Sequence, residues 1–326
     1  MGSHTQPRST TPDLGDLRLP TRVLITGGAG FIGSHIADAL LTRGVDVWVL
    51  DDLSTGLREN VPPAARLMEG NICDEGCVRD VMAQAKPEAV FHLAAQMDVR
   101  RSLREPVFDA TTNVLGSLKL LLACVEGGVR RIVYSSSGGA AYGDVATPAV
   151  PETQVPRPIS EYGASKVAVE HYLSVYHARG AIETVALRYP NVFGPRQRPD
   201  GEAGVVAIFA GSVLRGQRCR IFGDGSKTRD YVYITDIVRG TLLALRAASG
   251  TLYNLGTGCG TSDQQVYDAV SAALGFEEEP DYLPFRPGEV MHIALDSRAA
   301  DKDLGWRPEV SFDDGVREVV EWLKQR

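Results

Sequence analysis

The sequence predicts an α/β fold in which a doubly wound parallel sheet carries a smaller, mostly C-terminal α/β lobe. Three observations predict it. Short branched-apolar runs recur at 23–26, 45–50, 66–68, 89–92, 131–135 and 184–188 with helical stretches between them, and strands that alternate with helices pair in parallel through crossovers. A glycine-rich turn, Gly27-Gly28-Ala29-Gly30-Phe31-Ile32-Gly33, opens directly after the first run. Beyond Gly194 the texture changes to polar loops and short helices, which marks a second lobe.

Along the chain, Arg22-Val23-Leu24-Ile25-Thr26 is a strand, and Gly27, Gly30 and Gly33 then supply a tight turn, close backbone approach to a pyrophosphate and close helix–sheet packing. Residues 34–43 continue as helix. The next strand, 45–50, ends in Asp51 and Asp52, and an acid about twenty residues beyond the glycines suits adenosine ribose hydroxyls. Asp51 is preferred because it comes first beyond the apolar run. Acid here favours NAD over NADP, whose extra phosphate wants an arginine; the whole is a Rossmann fingerprint. Residues 107–127 carry an apolar helical face through Leu115, Leu118, Leu121 and Leu122, and 161–179 form a second long helix with Val167, Val169, Leu173, Val175 and Tyr176 on more than one side. Such apolarity predicts burial on the sheet and a homodimer through these two helices.

In the smaller lobe, 195–200 is a polar loop, 205–214 a helix, Asn254-Leu255-Gly256 a strand end and 262–274 a helix. The domain reading is a disordered tail or expression scar over 1–19, a dinucleotide-binding domain over 20–190 with a return segment at 232–257, and a substrate domain over 191–231 and 258–326.

Tyr162 and Lys166 stand four apart in Tyr162-Gly163-Ala164-Ser165-Lys166. On a helix they share a face, so the ammonium can favour the phenolate and make the tyrosine a base. Alone the spacing is common on solvated helices; behind a dinucleotide fingerprint it reads as proton transfer beside a nicotinamide.

The net charge of −7 gives no reason to expect nucleic acid. Cys73 and Cys77 are loosely spaced for a metal hairpin, but no second pair follows, so reduced structural cysteines and no metal are expected. The longest apolar run falls far short of a membrane span, and residues 1–18, rich in Pro, Ser and Thr, are no signal peptide. A cytoplasmic enzyme is expected.

These motifs, with His92-Leu93-Ala94-Ala95, Asn113-Val114, Ser135-Ser136-Ser137, Asn191-Val192-Phe193-Gly194-Pro195 and Arg229-Asp230-Tyr231, resemble the extended short-chain dehydrogenase/reductase family over residues 22–322, and within it the nucleotide-sugar 4-epimerases of UDP-glucose 4-epimerase type. The resemblance implies a UDP-sugar substrate and tightly bound NAD. For the cofactor it implies Gly27, Gly30, Phe31, Ile32, Gly33, Asp51, Asp52, Asn71, Ile72, Leu93, Ala94, Ala95, Asn113, Tyr162, Lys166 and Pro190. Asn71 stands where many relatives carry an aspartate, and Met97 replaces a lysine some use near the phosphates.

For the substrate the resemblance implies Ser137 as the hydroxyl beside Tyr162, with Ser136 as fallback because the following glycine-alanine run is one residue longer than usual, and also Asn191, Val206, Arg229, Arg286, Glu289 and Ile293. Arg198 resembles the arginine that grips the carboxylate in UDP-glucuronate 4-epimerases, which keeps a uronate substrate open. Gly138 and Gly139 replace the Asp-Glu of 4,6-dehydratases, and glycine transfers no proton. A 4-ketoreductase and a non-catalytic NAD-binding regulator are the remaining alternatives. Ile293 is intermediate between residues that exclude and admit N-acetyl sugars.

Overall fold

The computed structural model describes residues 14–145, 148–200, 204–286 and 290–326. The chain runs through β1 (Arg22–Thr26), α1 (Phe31–Leu41), β2 (Asp46–Asp51), β3 (Arg66–Glu69), α2 (Glu75–Ala85), β4 (Ala89–His92), α3 (Val99–Arg104), α4 (Pro106–Ala110), α5 (Ser117–Glu126), β5 (Arg131–Ser137), α6 (Gly138–Ala141), α7 (Glu161–Ala178) and β6 (Glu183–Tyr189). It continues through β7 (Asn191–Phe193), α8 (Val205–Leu214), β8 (Arg220–Phe222), β9 (Thr228–Arg229), β10 (Tyr231–Tyr233), α9 (Ile234–Leu243), β11 (Thr251–Asn254), β12 (Thr261–Ser262), α10 (Asp263–Leu274), β13 (Asp281–Leu283), α11 (Arg298–Leu304) and α12 (Phe312–Lys324).

Seven strands form one parallel sheet in the order β3-β2-β1-β4-β5-β6-β11. Alternation within each strand separates two cores: Val23 and Ile25 of β1 join Ile36, Leu40, Ile237 and Val316 on one face, and Leu24 joins Val78, Leu120, Val169 and Leu173 on the other. Helices therefore cover both faces, which is why the strands read as apolar runs without polar alternation. The order reverses between β1 and β4, and the crevice at their carboxyl ends is where such a sheet takes its ligand.

Several boundaries move. α1 starts at Phe31 instead of 34, so the glycine turn feeds the helix without an intervening loop. β5 extends to Ser137, because its last residues pair with Ser136↔Arg188 and Ser137↔Tyr189 on β6. The strand end near 254 is β11, the seventh strand of the main sheet, returning after β7 to β10 have been made. Residues 14–19 are packed where composition suggested a tail: Leu14 is buried in the larger core with Leu17 and Leu19 against it, so the disordered-tail reading fails for 14–19 and otherwise falls on 1–13, outside the described residues. α4, a π-helical turn at Thr111–Gly116 and α5 make one stretch, Pro106–Glu126, long and apolar enough by length and composition to cross a membrane. Here it packs against α2 and α7.

Candidate active site

The glycine turn is built by close backbone approach. Gly27 has φ +74°, and a Cβ there would stand 2.6 Å from Ala94 N, so the end of β1 and the loop after β4 touch through backbone alone. A Cβ on Gly33 would strike the Gly27 carbonyl, which fixes how tightly α1 sits on the turn. Gly30 differs. A Cβ there would meet only Gly27 O, at 3.2 Å, so the protein leaves that side of the turn open. α1 also has no side-chain N-cap, whereas α2, α7, α10 and α12 are capped by Asp74, Ser160, Ser262 and Ser311. An open glycine beside uncapped N–H groups suits a dinucleotide pyrophosphate. Phe31 and Ile32 form the first turn of that helix.

Asp51 is buried, and its carboxylate accepts Ala29 N and Leu53 N, both at 2.9 Å. Burial pushes its carboxyl above the usual range. It thus braces the glycine turn. The exposed Asp52 accepts Asn71 Nδ2 at 2.8 Å, and the Asn71 carbonyl oxygen accepts Cys73 N at 2.7 Å. Ile72 is buried against α5, while Leu93, Ala94 and Ala95 line the loop after β4. Met97 is half exposed there.

The proton-transfer candidates stand at the carboxyl end of β5, which lies beside β4 in the sheet. Ser160 caps α7 by accepting Gly163 N at 3.2 Å, and a Cβ on Gly163 would strike the Ala140 carbonyl, so the first turn of α7 lies against α6 just beyond the serines. One turn on, Lys166 is buried and donates to Ser135 O at 2.8 Å, its Nζ 5.8 Å from the centre of the Tyr162 ring. Ser137, the last residue of β5, stands close enough to the Tyr162 phenol to favour its ionised form. Ser136 faces the other way and donates to Glu170 Oε1 at 2.5 Å, as strand alternation requires. Glu170 in turn holds Arg188 through two hydrogen bonds of 2.9 and 2.6 Å. The serine register is thereby divided: Ser137 meets the phenol and Ser136 is committed to a buried ion pair.

Burial pushes the Tyr162 phenol up to about 12, opposed by the Ser137 side chain and reinforced by Asp109. Burial pulls Lys166 down to about 8, opposed by Asp109 and Glu170. The pair needs further positive charge nearby before the phenol gives up its proton near neutrality. His92, at the end of β4, holds the residue before the glycine turn to the start of α5. Its Nδ1 meets Thr26 Oγ1 at 2.7 Å and its Nε2 meets Ser117 Oγ at 2.8 Å, while burial, with Lys166 adding, pulls it down to about 3 and keeps the ring neutral.

Across the crevice Pro190 joins β6 to β7, and Asn191 Oδ1 would lie 3.6 Å from a Cβ on Gly139, which places its amide beside the strand end that bears Ser137. Arg229 donates to Thr228 O at 2.8 Å and Met291 O at 3.4 Å, and Arg286 stacks 3.2 Å above the centre of the Phe222 ring. The neighbouring Asp230 is buried and takes Thr257 Oγ1, Thr257 N, Leu295 N and Gly258 N at 2.6–3.2 Å, which ties two loops to β10 beside Arg229. Arg198 stands in an exposed loop, paired with Asp200 by bonds of 3.0 and 2.7 Å. Val206 is packed in the main core, and Ile293 is buried with Tyr142, Val150, Val290 and Leu295; neither side chain offers open surface. Glu289 lies outside the described residues.

Sequence reasoning missed Asp109, which is fully buried and accepts Gln96 Nε2 at 2.9 Å, Asn113 Nδ2 at 3.0 Å and Ser165 Oγ at 2.6 Å. Asn113, expected at the cofactor, has its amide tied to Gln96 as well, through Gln96 N at 2.8 Å and Gln96 O at 2.9 Å. A charged residue inside an apolar helical stretch was the signal available. Among the described residues no group of three or more His, Cys, Asp or Glu side chains is arranged to hold a metal.

The model of the NAD dependent epimerase/dehydratase family matches residues 23–256. A UDP-glucose 4-epimerase of Mycolicibacterium smegmatis is 42% identical over 311 residues, covering 94% of this chain and 99% of its own. Among solved structures, UDP-glucose 4-epimerase of Thermotoga maritima with UDP-glucose superposes with a TM-score of 0.91 at 45% identity, covering 93% of this chain and 98% of that one. The Thermus thermophilus UDP-glucose 4-epimerase in complex with NAD gives 0.89 at 45% identity, covering 93% and 99%.

Proposed function

We propose that this chain, which belongs to the NAD-dependent epimerase/dehydratase family, is a UDP-glucose 4-epimerase-like isomerase that inverts C4 of a UDP-hexose through a transient 4-keto sugar. The observation that carries the reading is the placement of Tyr162, Ser137 and Lys166 at the end of β5, two strands away in the sheet from β1 and the glycine turn that follows it. Bound NAD supplies a hydride acceptor for C4 and the extra positive charge the phenol needs. Tyr162 takes the proton of the sugar 4-hydroxyl with Ser137 bridging, and gives it back when the ketone, presenting its other face, is reduced. Lys166, anchored on Ser135 O, holds its charge beside the phenol. Asn191, Arg229 and Arg286 hold the nucleotide diphosphate from the smaller lobe, where arginine's fork suits phosphate oxygens.

A neutral hexose fits better than a uronate. Arg198 already commits its fork to Asp200 in a solvent-exposed pair, so a sugar carboxylate would have to displace that aspartate. Elimination of water after oxidation lacks its acid and base, because Gly138 and Gly139 follow Ser137. We place the reaction in the cytoplasm, consistent with five free thiols, and divide the chain into a cofactor domain and a nucleotide-sugar lobe that begins at Asn191. Exposed Val107, Phe108, Leu115, Leu122, Tyr172 and Val175 from α4 to α7 form the face of a homodimer.

Incubation with UDP-glucose, UDP-galactose, UDP-glucuronate, UDP-N-acetylglucosamine and dTDP-glucose, read by NMR, tests the reading. Interconversion of the two neutral UDP-hexoses is expected, and Tyr162→Phe should keep NAD and lose turnover. Epimerisation undiminished in Tyr162→Phe would remove the assigned base; equal loss on hexose and uronate in Arg198→Ala would remove any carboxylate role for Arg198.

A further inference from the structure

Two carboxylates bear on Lys166, and they are held differently. Glu170 is committed to Arg188 and Ser136. Asp109 has no exposed surface, and its three hydrogen-bond donors, Gln96, Asn113 and Ser165, are all neutral. Those donors come from three places: the loop after β4 that carries Leu93 to Ala95, the π-helical turn, and the residue of α7 directly before Lys166. A buried charge whose hydrogen-bond donors are neutral keeps its field for other groups.

We propose that Asp109 is a positioning residue for the reaction, locking the cofactor loop after β4 to α7 and serving as the buried counter-charge of the Tyr162–Lys166 pair. The inference rests on Tyr162 being the base. The charged and titratable groups facing this pair are His92 from β4, Tyr134 from β5, Glu170 from α7, Arg188 from β6 through Glu170, and Asp109 from α4. Of these, Asp109 acts on both members: its charge holds Lys166 protonated against burial and at the same time opposes ionisation of Tyr162. Asp109 therefore sets where on the pH scale the two work together.

Asp109→Asn separates charge from shape, since an amide oxygen can still accept from Gln96 and Asn113 while its NH2 donates to Ser165 Oγ. With the NAD-loaded enzyme and the UDP-hexose it turns over, kcat is measured against pH. Both limbs should move to lower pH by about one unit in Asp109→Asn, with NAD content and melting temperature close to the parent. Ser165→Ala, which removes one hydrogen bond and keeps the charge, and Asp109→Glu, which keeps the charge if Asp109→Asn fails to fold, should leave both limbs in place. A profile for Asp109→Asn that coincides with the parent's overturns the proposal, as does an equal displacement in Ser165→Ala or Asp109→Glu. Full activity of Tyr162→Phe in the same assay would instead sink the base assignment, so the two failures are distinct.

Discussion

Glu170 illustrates how much of the candidate site rests on side chains that hold one another. It stands one turn beyond Lys166 on the same face of α7, almost fully buried, and joins α7 to β5 through Ser136 and to β6 through Arg188. Removing one partner of such a pair leaves a buried charge unmatched, so Glu170→Ala should destabilise the fold by about 3–5 kcal/mol in denaturant unfolding; a loss near zero would mean that Arg188 finds another acceptor. Two histidines, one buried and one partly buried, give a pH prediction. His92 is pulled down to about 3 and His35, which meets Pro195 O at 2.9 Å, to about 4, both chiefly by burial. Below their ordinary 6.5 the unfolded chain binds protons that the folded chain refuses, so stability falls as pH drops, by about 1.4 kcal/mol per pH unit for each. Unfolding midpoints taken from pH 6.5 to about 5, above the ordinary carboxylate range, should show this slope, and it should flatten in a double variant carrying His35→Gln and His92→Gln. At this scale the shared face of Tyr162 and Lys166 on α7 was legible from local spacing. Asp109 and Glu170 were not, because their partners are brought in from other strands and helices.

The glycine turn shows where an element is readable from sequence and where geometry must complete it. Three glycines after a branched strand announced the turn, but the division of labour among them comes from what surrounds each missing Cβ. Gly33→Ala should lower the melting temperature even without cofactor, because its methyl strikes the Gly27 carbonyl; Gly30→Ala should cost the cofactor-free protein less, because its methyl meets that carbonyl only at 3.2 Å and nothing else within 4 Å, and should weaken NAD binding. Calorimetric melts and NAD titrations of the two variants check this, and loss of stability in Gly30→Ala equal to that in Gly33→Ala would count against it. The β5 terminus was misplaced by two residues for a related reason. A serine run carries no apolar signal, yet its backbone pairs with β6 to the end, and that pairing sorts Ser136 from Ser137.

For the whole molecule, the alternation of strands and helices was enough to give the doubly wound sheet, since both faces of every central strand must be covered. The late return of β11 was visible only as a strand end, because its neighbour β6 lies far back in the sequence. The apolar band across α4, α5 and α7 was also foreshadowed by composition; Leu115 and Leu122 remain about half exposed on the single chain, at 52% and 48%. Leu122→Arg should convert a dimer to a monomer by light scattering without altering the circular dichroism, and a parent protein already monomeric would remove the dimer proposal.

The seventh strand has a bearing on how the protein is made. Until Thr251–Asn254 leaves the ribosome, the edge of β6 that it will pair with stays bare. A nascent chain stalled before Thr251 would hold an almost finished sheet with a sticky margin, so synthesis of the segments from β7 to α9 doubles as a waiting period during which that margin needs shielding.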